Sequence, residues 1–290
     1  ENIKMLNESD SNLADENKCL DMGIFASDGL TIKGENNSIL NINVSNPYKT
    51  NASAIYYSGL IKIENLNLNM NVSTDFGANG IYFYKVNSKN HLIINNSKIY
   101  TKLNGKSSNY FIWTNSAQIN DSTIEVETVD NGDENATFYG ISATSIVINN
   151  SKIEMKSAYE NNSKGIAVCA ELKIYNSELY LDVYQGIDTV TSKIGSIIQS
   201  FANTKGLDSL DNVIKVDKST IEVISKKDPI ISTSLEEQKT VVPTIVHENY
   251  NNYKILVGES KTDINDWDNE SLLTNYRYLK IFDLVETNNE

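Results

Sequence analysis

Apolar and polar residues follow one short phrase that recurs along most of the chain: apolar, any residue, Asn, Ser, any residue, apolar, any residue, apolar. The copies, the first of them degenerate, are ENNSILNI from Glu35, IENLNLNM from Ile63, INNSKIYT from Ile94, INDSTIEV from Ile119, INNSKIEM from Ile148, IYNSELYL from Ile174 and VDKSTIEV from Val216. The interval between copies varies from 25 to 42 residues, which is too variable for tight helical repeats.

A second phrase lies between these copies. Its members are GIFAS from Gly23, AIYYS from Ala54, GIYFY from Gly80, YFIWT from Tyr110, GISAT from Gly140, GIAVC from Gly165 and GIDTV from Gly186. Each period therefore contains at least two strands.

The first phrase also predicts a sharp corner. Its apolar positions before and after the Ser are five residues apart, so both cannot face inward from one straight strand, because side chains alternate between faces. Asn and Asp tolerate the left-handed backbone that a corner needs. The predicted corner residues are Asn65, Asn96, Asp121, Asn150 and Asn176. In stacked coils, we expect them to form an asparagine ladder.

These features predict an all-β fold, a single-stranded parallel β-helix of about seven to eight coils. One coil cannot bury its own apolar face, so neighbouring coils stack about 4.8 Å apart and share a core. We predict an N-terminal cap at residues 1–22, the solenoid at 23–235 and a small C-terminal β cap at 236–290. Cys19 and Cys169 fall about five coils apart, too far for a disulfide, so both are expected to be free thiols.

Three segments carry a family resemblance: GIFASDGLTIKG, AIYYSGLIKIENLNLNMNV and GISATSIVINNSKIEMK. They resemble right-handed parallel β-helix domains, called pectate-lyase-like or carbohydrate-binding, of secreted proteins from Gram-positive bacteria. The segment from Asn252 to Phe282 is similar to a motif that follows such domains in clostridial-type surface proteins. The resemblance implies a right-handed coil and an extracellular role, either attachment to a polysaccharide or host surface, or polysaccharide cleavage.

Charge and composition narrow the choice of partners. The chain has 38 acidic and 25 basic residues, a formal charge of -13, and Arg277 as its single arginine, which disfavours nucleic acid as a partner. No apolar stretch approaches the length of a membrane span, so we expect none. The chain contains 40 Asn and only 3 Pro, which suits turns made by asparagine.

The second phrase predicts an outward column along one sheet. Its members are Phe25, Tyr56, Tyr82, Ile112, Ser142, Ala167 and Asp188, while Tyr57, Phe83 and Trp113 have the opposite parity and are predicted to be core. Three consecutive aromatic residues, Phe25, Tyr56 and Tyr82, would share one face. They are the candidate ligand-binding residues, as a platform for sugar rings, and the alternative is a ladder that only stabilises the sheet.

A second outward column carries acidic residues. Glu125 and Glu154 are predicted to be neighbours about 5 Å apart, with Lys156 and Asp182 close by. Three interpretations stay open: a solvated charge network, a calcium site formed by Glu125, Glu154 and Asp182, and a catalytic carboxylate pair. Calcium is the only cofactor that this pattern suggests.

Signatures of known enzyme classes are otherwise missing. Lyases of the resembled group commonly use an arginine on the coil as a base, but Arg277 lies in the C-terminal segment. Neither His91 nor His247 has glycine neighbours or a nucleophile elbow nearby. We therefore predict a non-catalytic, secreted or cell-wall-associated monomer that binds a polysaccharide or host receptor. The alternatives are a calcium-dependent polysaccharide lyase or hydrolase and a passive stalk of a larger surface protein.

Overall fold

The computed structural model describes residues 2–6, 19–35, 38–83, 90–129, 133–159, 163–191, 213–234, 239–241, 244–247 and 253–284. Most of the predicted N-terminal cap, residues 7–18, lies outside these ranges. The described strands are β1 (Asn2–Leu6), β2 (Cys19–Ala26), β3 (Leu30–Lys33), β4 (Ile39–Asn46), β5 (Asn51–Tyr57), β6 (Leu60–Glu64), β7 (Asn67–Thr74), β8 (Ala78–Phe83), β9 (His91–Asn95), β10 (Lys98–Gly105), β11 (Ser108–Trp113), β12 (Ser116–Asn120), β13 (Thr123–Thr128), β14 (Thr137–Asn149), β15 (Lys152–Lys156), β16 (Lys164–Tyr175), β17 (Glu178–Thr191), β18 (Val213–Asp217), β19 (Thr220–Ser234), β20 (Lys239–Val241), β21 (Thr244–His247), β22 (Tyr253–Ser260), β23 (Asp263–Asp266) and β24 (Tyr278–Asp283).

The fold is the predicted all-β parallel solenoid, with three sheets around one core. The first sheet contains β2, β5, β8, β11 and parts of β14, β16, β17 and β19. The second contains β3, β6, β9, β12, the ends of β14 and β16, β18 and β21, and the third contains β1, β4, β7, β10, β13, β15 and the starts of β17 and β19. From Ile24 to Ile187 the chain makes about six turns, slightly fewer than the seven to eight coils predicted.

The predicted corner lies between the second and third sheets. The backbone φ angle is positive at all five predicted corner residues, between 45° and 53°. On either side, isoleucines stack in register: Ile119 on Ile94 and Ile148 before the corner, and Ile124 on Ile99 and Ile153 after it. All six are buried, because the corner turns both sets inward. The corner prediction is therefore confirmed.

The continuous ladder at this corner is made of serines rather than asparagines. The backbone N–H groups of Ser97, Ser122, Ser151 and Ser177 each donate to the hydroxyl of the serine one coil on, at 3.0–3.1 Å. The corner amides pair only in part and at the surface, from Asn96 to Asn65 and from Asn150 to Asp121. The asparagine ladder was therefore expected at the wrong residue, because asparagine supplies the backbone angle while serine points into the buried corner.

The ladder predicts that Ser151→Ala lowers the free energy of unfolding by about 1 to 3 kcal/mol. The substitution leaves the buried Ser122 N–H without its acceptor and removes one of the two hydrogen bonds to the Asn149 carbonyl, which keeps the bond from the Asp121 N–H. Urea unfolding followed by circular dichroism measures the change. Ser45→Ala, at an exposed serine of the third sheet, is the matched control and should have little effect. An equally small effect of Ser151→Ala would show that the ladder contributes nothing.

The fourth coil of the first sheet differs from the prediction by one residue. Ile112 lies opposite Ile81 and Ile141, and Trp113 lies opposite Tyr82. Phe111 and Ile112 are both fully buried, whereas Trp113 is only partly buried. The assignments of Ile112 as outward and Trp113 as core were therefore wrong. Tyr57 and Phe83 are buried as predicted, and the Tyr57 hydroxyl donates to Thr114 Oγ1 at 2.6 Å.

The C-terminal strands extend the third sheet beyond its last parallel strand. β24 pairs antiparallel with β19, β22 pairs with β24, and β23 pairs with β22. Arg277 Nη1 donates to the backbone carbonyls of Thr274, Tyr276 and Lys227. The arginine side chain therefore bonds backbone carbonyls and ties the C-terminal region to β19, the last parallel strand of the first and third sheets.

The backbone positions of Cys19 and Cys169 are as far apart as the sequence predicts. Cys19 begins β2 and Cys169 lies in β16, five strand steps away in the first sheet. At about 4.8 Å a step, they are far beyond the distance that a disulfide spans.

Candidate functional site

An aromatic strip runs along the outer face of the first sheet. It consists of Phe25, Tyr56, Tyr82 and Trp113, which are directly opposite one another on β2, β5, β8 and β11. Phe25 is 53% exposed, and the other three are partly exposed. The structure therefore brings together the three residues predicted from the sequence and adds Trp113 as a fourth.

The rings of the strip are offset from one another. Ring centroids lie 6.3 Å apart between Phe25 and Tyr56 and 6.0 Å apart between Tyr56 and Tyr82, with interplanar angles of 36° and 22°. Trp113 meets Tyr82 edge to face at 4.5 Å and 82°. Offset and edge-to-face pairs are the favourable arrangements of aromatic rings, and they leave part of each ring uncovered by its neighbour.

A second row of rings supports the strip from the side. Tyr110 stacks on Trp113 with centroids 4.8 Å apart, and Tyr139 stacks on Tyr110 at the same distance. Burial raises the pKa of the Tyr110 hydroxyl, so this side chain is neutral at physiological pH. Stacking on Tyr110, which itself stacks on Tyr139, restricts the orientation of the Trp113 ring.

Sequence reasoning missed Trp113 and Tyr110 at this site. In YFIWT the apolar pair Phe111 and Ile112 allows two registers, and the register predicted from the sequence is wrong. Aligning Ile112 with the isoleucine of the neighbouring copies, Ile81 and Ile141, would have placed Trp113 on the outer face.

The predicted polar column lies on the outer face of the third sheet. Glu125 on β13 lies opposite Glu154 on β15, and Lys156 lies opposite Asp182 on β17. These registers are those that the sequence predicted. Tyr100 precedes Glu125 in the column, and Tyr180 follows Glu154.

Lysines and a tyrosine take up much of the negative charge in this column. Lys156 Nζ is 2.5 Å from Glu154 Oε1, and Lys102 Nζ is 3.2 Å from Glu127 Oε1. The Tyr100 hydroxyl donates to Glu127, which lowers the pKa of that carboxyl. The hydrogen bond to Glu154 raises the pKa of Lys156, so the amine stays protonated and is poorly suited to act as a base.

Of the three interpretations of this column, the solvated charge network fits the observed ion pairs best. Within the described residues, no three His, Cys, Asp or Glu side chains are grouped so that they could hold a metal ion. The calcium site at Glu125, Glu154 and Asp182 stays a prediction.

A buried histidine lies where the last solenoid strand meets the C-terminal strands. The His247 side chain is 1% exposed, its ring stacks on Tyr253 with centroids 3.4 Å apart, and Nδ1 is 3.6 Å from Asp283 Oδ1. Burial lowers the pKa of His247, and the nearby Asp283 carboxylate opposes this shift only in part. The imidazole is therefore neutral in the folded protein at pH 7.

This burial predicts a pH-dependent stability. Because the pKa of His247 is lower in the folded than in the unfolded chain, the unfolded chain binds the proton more readily. The stability that this group contributes is complete above about pH 6.5, the pKa of an ordinary histidine, and is lost progressively as the pH drops below that value. Urea unfolding at pH 7.5 and 5.5 should show a smaller loss for His247→Gln than for the parent chain. His91→Gln is the control, and equal losses in all three proteins would contradict the prediction.

Comparison with protein-family models, curated proteins and solved structures finds no significant match. The β-solenoid is therefore supported by the structure alone, and the pectate-lyase-like character and Gram-positive origin remain predictions. Among the residues that the structure describes, no helix has the length and apolar content of a membrane span.

Proposed function

We propose that this chain is a non-catalytic binding solenoid that attaches to a polysaccharide or a glycan-bearing host surface through the aromatic strip. The observation that carries the proposal is the register of Phe25, Tyr56, Tyr82 and Trp113 on four consecutive strands. Successive ring centroids in the strip lie 4.5 to 6.3 Å apart, so one extended sugar chain can contact several rings. Aromatic rings offer apolar area to sugar rings and leave polar edges nearby.

The charged column favours binding over catalysis. Catalysis by a retaining pair needs one carboxylic acid and one free carboxylate beside the substrate. Glu154 is engaged by Lys156, and the raised pKa of Lys156 disfavours a lyase base. The calcium-dependent lyase or hydrolase, with Glu125, Glu154, Lys156 and Asp182 at its centre, is the rival proposal, and a passive stalk is the third.

We place the protein outside the cell, as a secreted or cell-wall-associated chain. The support is the resemblance to secreted β-helix proteins and a ligand class, polysaccharide, that is met at cell surfaces. Detecting the native protein in the culture medium or cell-wall fraction of its source would test this placement.

A panel of plant, bacterial and host glycans, assayed with and without calcium, tests the function. Binding and newly formed unsaturated or reducing ends are measured in the same samples. Binding without cleavage is the expected result. Calcium-dependent cleavage would overturn the proposal in favour of the rival, and neither binding nor cleavage would favour the stalk or a protein receptor.

A further inference from the structure

A groove on the outer face of the third sheet lies apart from the aromatic strip. It has a volume of about 330 Å³ and is lined by Lys152, Glu154, Lys156, Glu178, Tyr180 and Glu222, with backbone and other atoms of β15, β17 and β19. This volume is at the lower end of the range for small-molecule sites, and suits about one or two sugar residues.

Tyr180 lies at the centre of the groove. Glu154 and Glu222 are directly opposite it on the preceding and following strands. The ammonium groups of Lys156 and Lys261 lie 5.9 and 5.3 Å from the centroid of its ring. Both distances lie within the roughly 6 Å over which a cation is attracted to the face of an aromatic ring, so both lysines contact the Tyr180 ring.

The turn between β22 and β23 borders one end of the groove. Lys261, in this turn, lies 2.6 Å from Glu222 Oε1, and the Tyr278 hydroxyl of β24 donates to the same carboxylate at 3.3 Å. The groove is therefore lined by the parallel coils, and the C-terminal strands contact Glu222 at its edge.

The charges around the groove are balanced. Three lysines pair with three glutamates: Lys156 with Glu154 at 2.5 Å, Lys261 with Glu222 at 2.6 Å, and Lys152 with Glu178 at 3.6 Å. A strongly charged ligand of either sign would compete with these pairs. A neutral ligand with many hydroxyl groups can accept hydrogen bonds from the lysines and donate to the glutamates without displacing either.

We propose that the groove around Tyr180 is a second binding site, specific for one or two residues of a neutral polysaccharide. The Tyr180 ring supplies apolar contact, and the flanking lysines and glutamates supply hydrogen bonds. The site lies on the third sheet, whereas the aromatic strip lies on the first, so one chain can hold two glycan segments. The proposal of a second site rests on the proposed glycan-binding function only in taking a sugar as the ligand.

Saturation-transfer NMR with cellotetraose, maltotetraose and chitotetraose, and with tetragalacturonate as an acidic probe, tests the site. The measurements use the Tyr56→Ala/Tyr82→Ala chain, in which the strip is disabled, alongside the parent chain. In that background, Tyr180→Ala should weaken binding of the preferred neutral probe at least about tenfold. Tyr180→Phe keeps the ring and should bind nearly as well, and Tyr48→Ala, at an exposed tyrosine far along the chain, is the control.

The outcomes separate this site from the strip. Binding that depends on Tyr56 and Tyr82 but not on Tyr180 would overturn the second site and leave the proposed function standing. Binding that survives loss of the strip and fails with Tyr180→Ala supports the second site alone. Preference for tetragalacturonate, with affinity that falls as salt is added, would overturn the assignment to neutral sugars. Glu222→Gln, which keeps the side-chain shape, repeats the test if Tyr180→Ala does not fold. No binding of any probe counts against both sites.

Discussion

Phe111→Ala is expected to lower the free energy of unfolding by about 3 to 5 kcal/mol. The Phe111 side chain is fully buried in the core of the solenoid. It lies opposite Gly80 on one neighbouring strand and Gly140 on the other. A β-carbon at Gly80 would lie 3.3 Å from Phe111 Cδ2 and 2.6 Å from its carbonyl oxygen. Phe111 thus fills space that Gly80 leaves, and the two residues opposite it, Gly80 and Gly140, have no side chains that could refill the cavity.

Phe25→Ala is the matched control for this prediction. It removes the same atoms from the same sheet, but Phe25 is 53% exposed, so its loss should change stability by less than about 1 kcal/mol. Urea unfolding of both variants gives the two free energies under one set of conditions. Equal, small effects would mean that Phe111 does not pack in the core, and the assigned register of β11 would then be wrong.

The solenoid could be predicted because its signals are local and repeated. The corner needs a left-handed residue, and asparagine or aspartate supplies it in five copies. The isoleucines on either side show which faces are inward, since their separation of five residues fits only a bent strand. Each copy repeats the same information, so an error in one copy does not change the architecture.

The register of β11 could not be read with the same certainty from the sequence. YFIWT contains four apolar residues in a row, and a shift of one residue exchanges core and surface along the strand. Both Phe111 and Ile112 face inward, which breaks the simple alternation on which the prediction depended. The pairing of Ile112 with Ile81 and Ile141 defines the register, and in this register Phe111 packs against Gly80.

The parts of the candidate sites that the sequence did not predict depend on contacts between segments that are far apart in the chain. Phe25, Tyr56 and Tyr82 occupy equivalent places in repeated phrases, so their shared column could be predicted. Lys261 reaches Glu222 and Tyr180 from a C-terminal turn that carries no copy of the repeat. Nothing in the local sequence near Lys261 indicates these partners.

The double substitution Tyr56→Ala/Tyr82→Ala is expected to abolish glycan binding at the strip. It removes the two central rings, so Phe25 and Trp113 would no longer belong to one continuous surface. Loss of two ring contacts at about 1 kcal/mol each or more corresponds to an affinity at least about thirtyfold weaker. The melting temperature should change little, because both side chains lie on the outer face and the core beneath them is intact.

The measurement is the affinity for the best glycan of the panel, by calorimetry, for the parent chain, each single variant and the double variant. Tyr48→Ala removes an exposed tyrosine from another part of the surface and should leave the affinity unchanged. Trp113→Ala probes the fourth ring, which the same sugar chain would reach if it lies along the solenoid axis. Because the strands are about 4.8 Å apart, loss of affinity at all four positions would indicate a ligand that extends over at least three strand intervals, whereas loss at Tyr56 and Tyr82 alone would indicate a shorter one. Unchanged affinity in the double variant would show that the rings only stabilise the sheet.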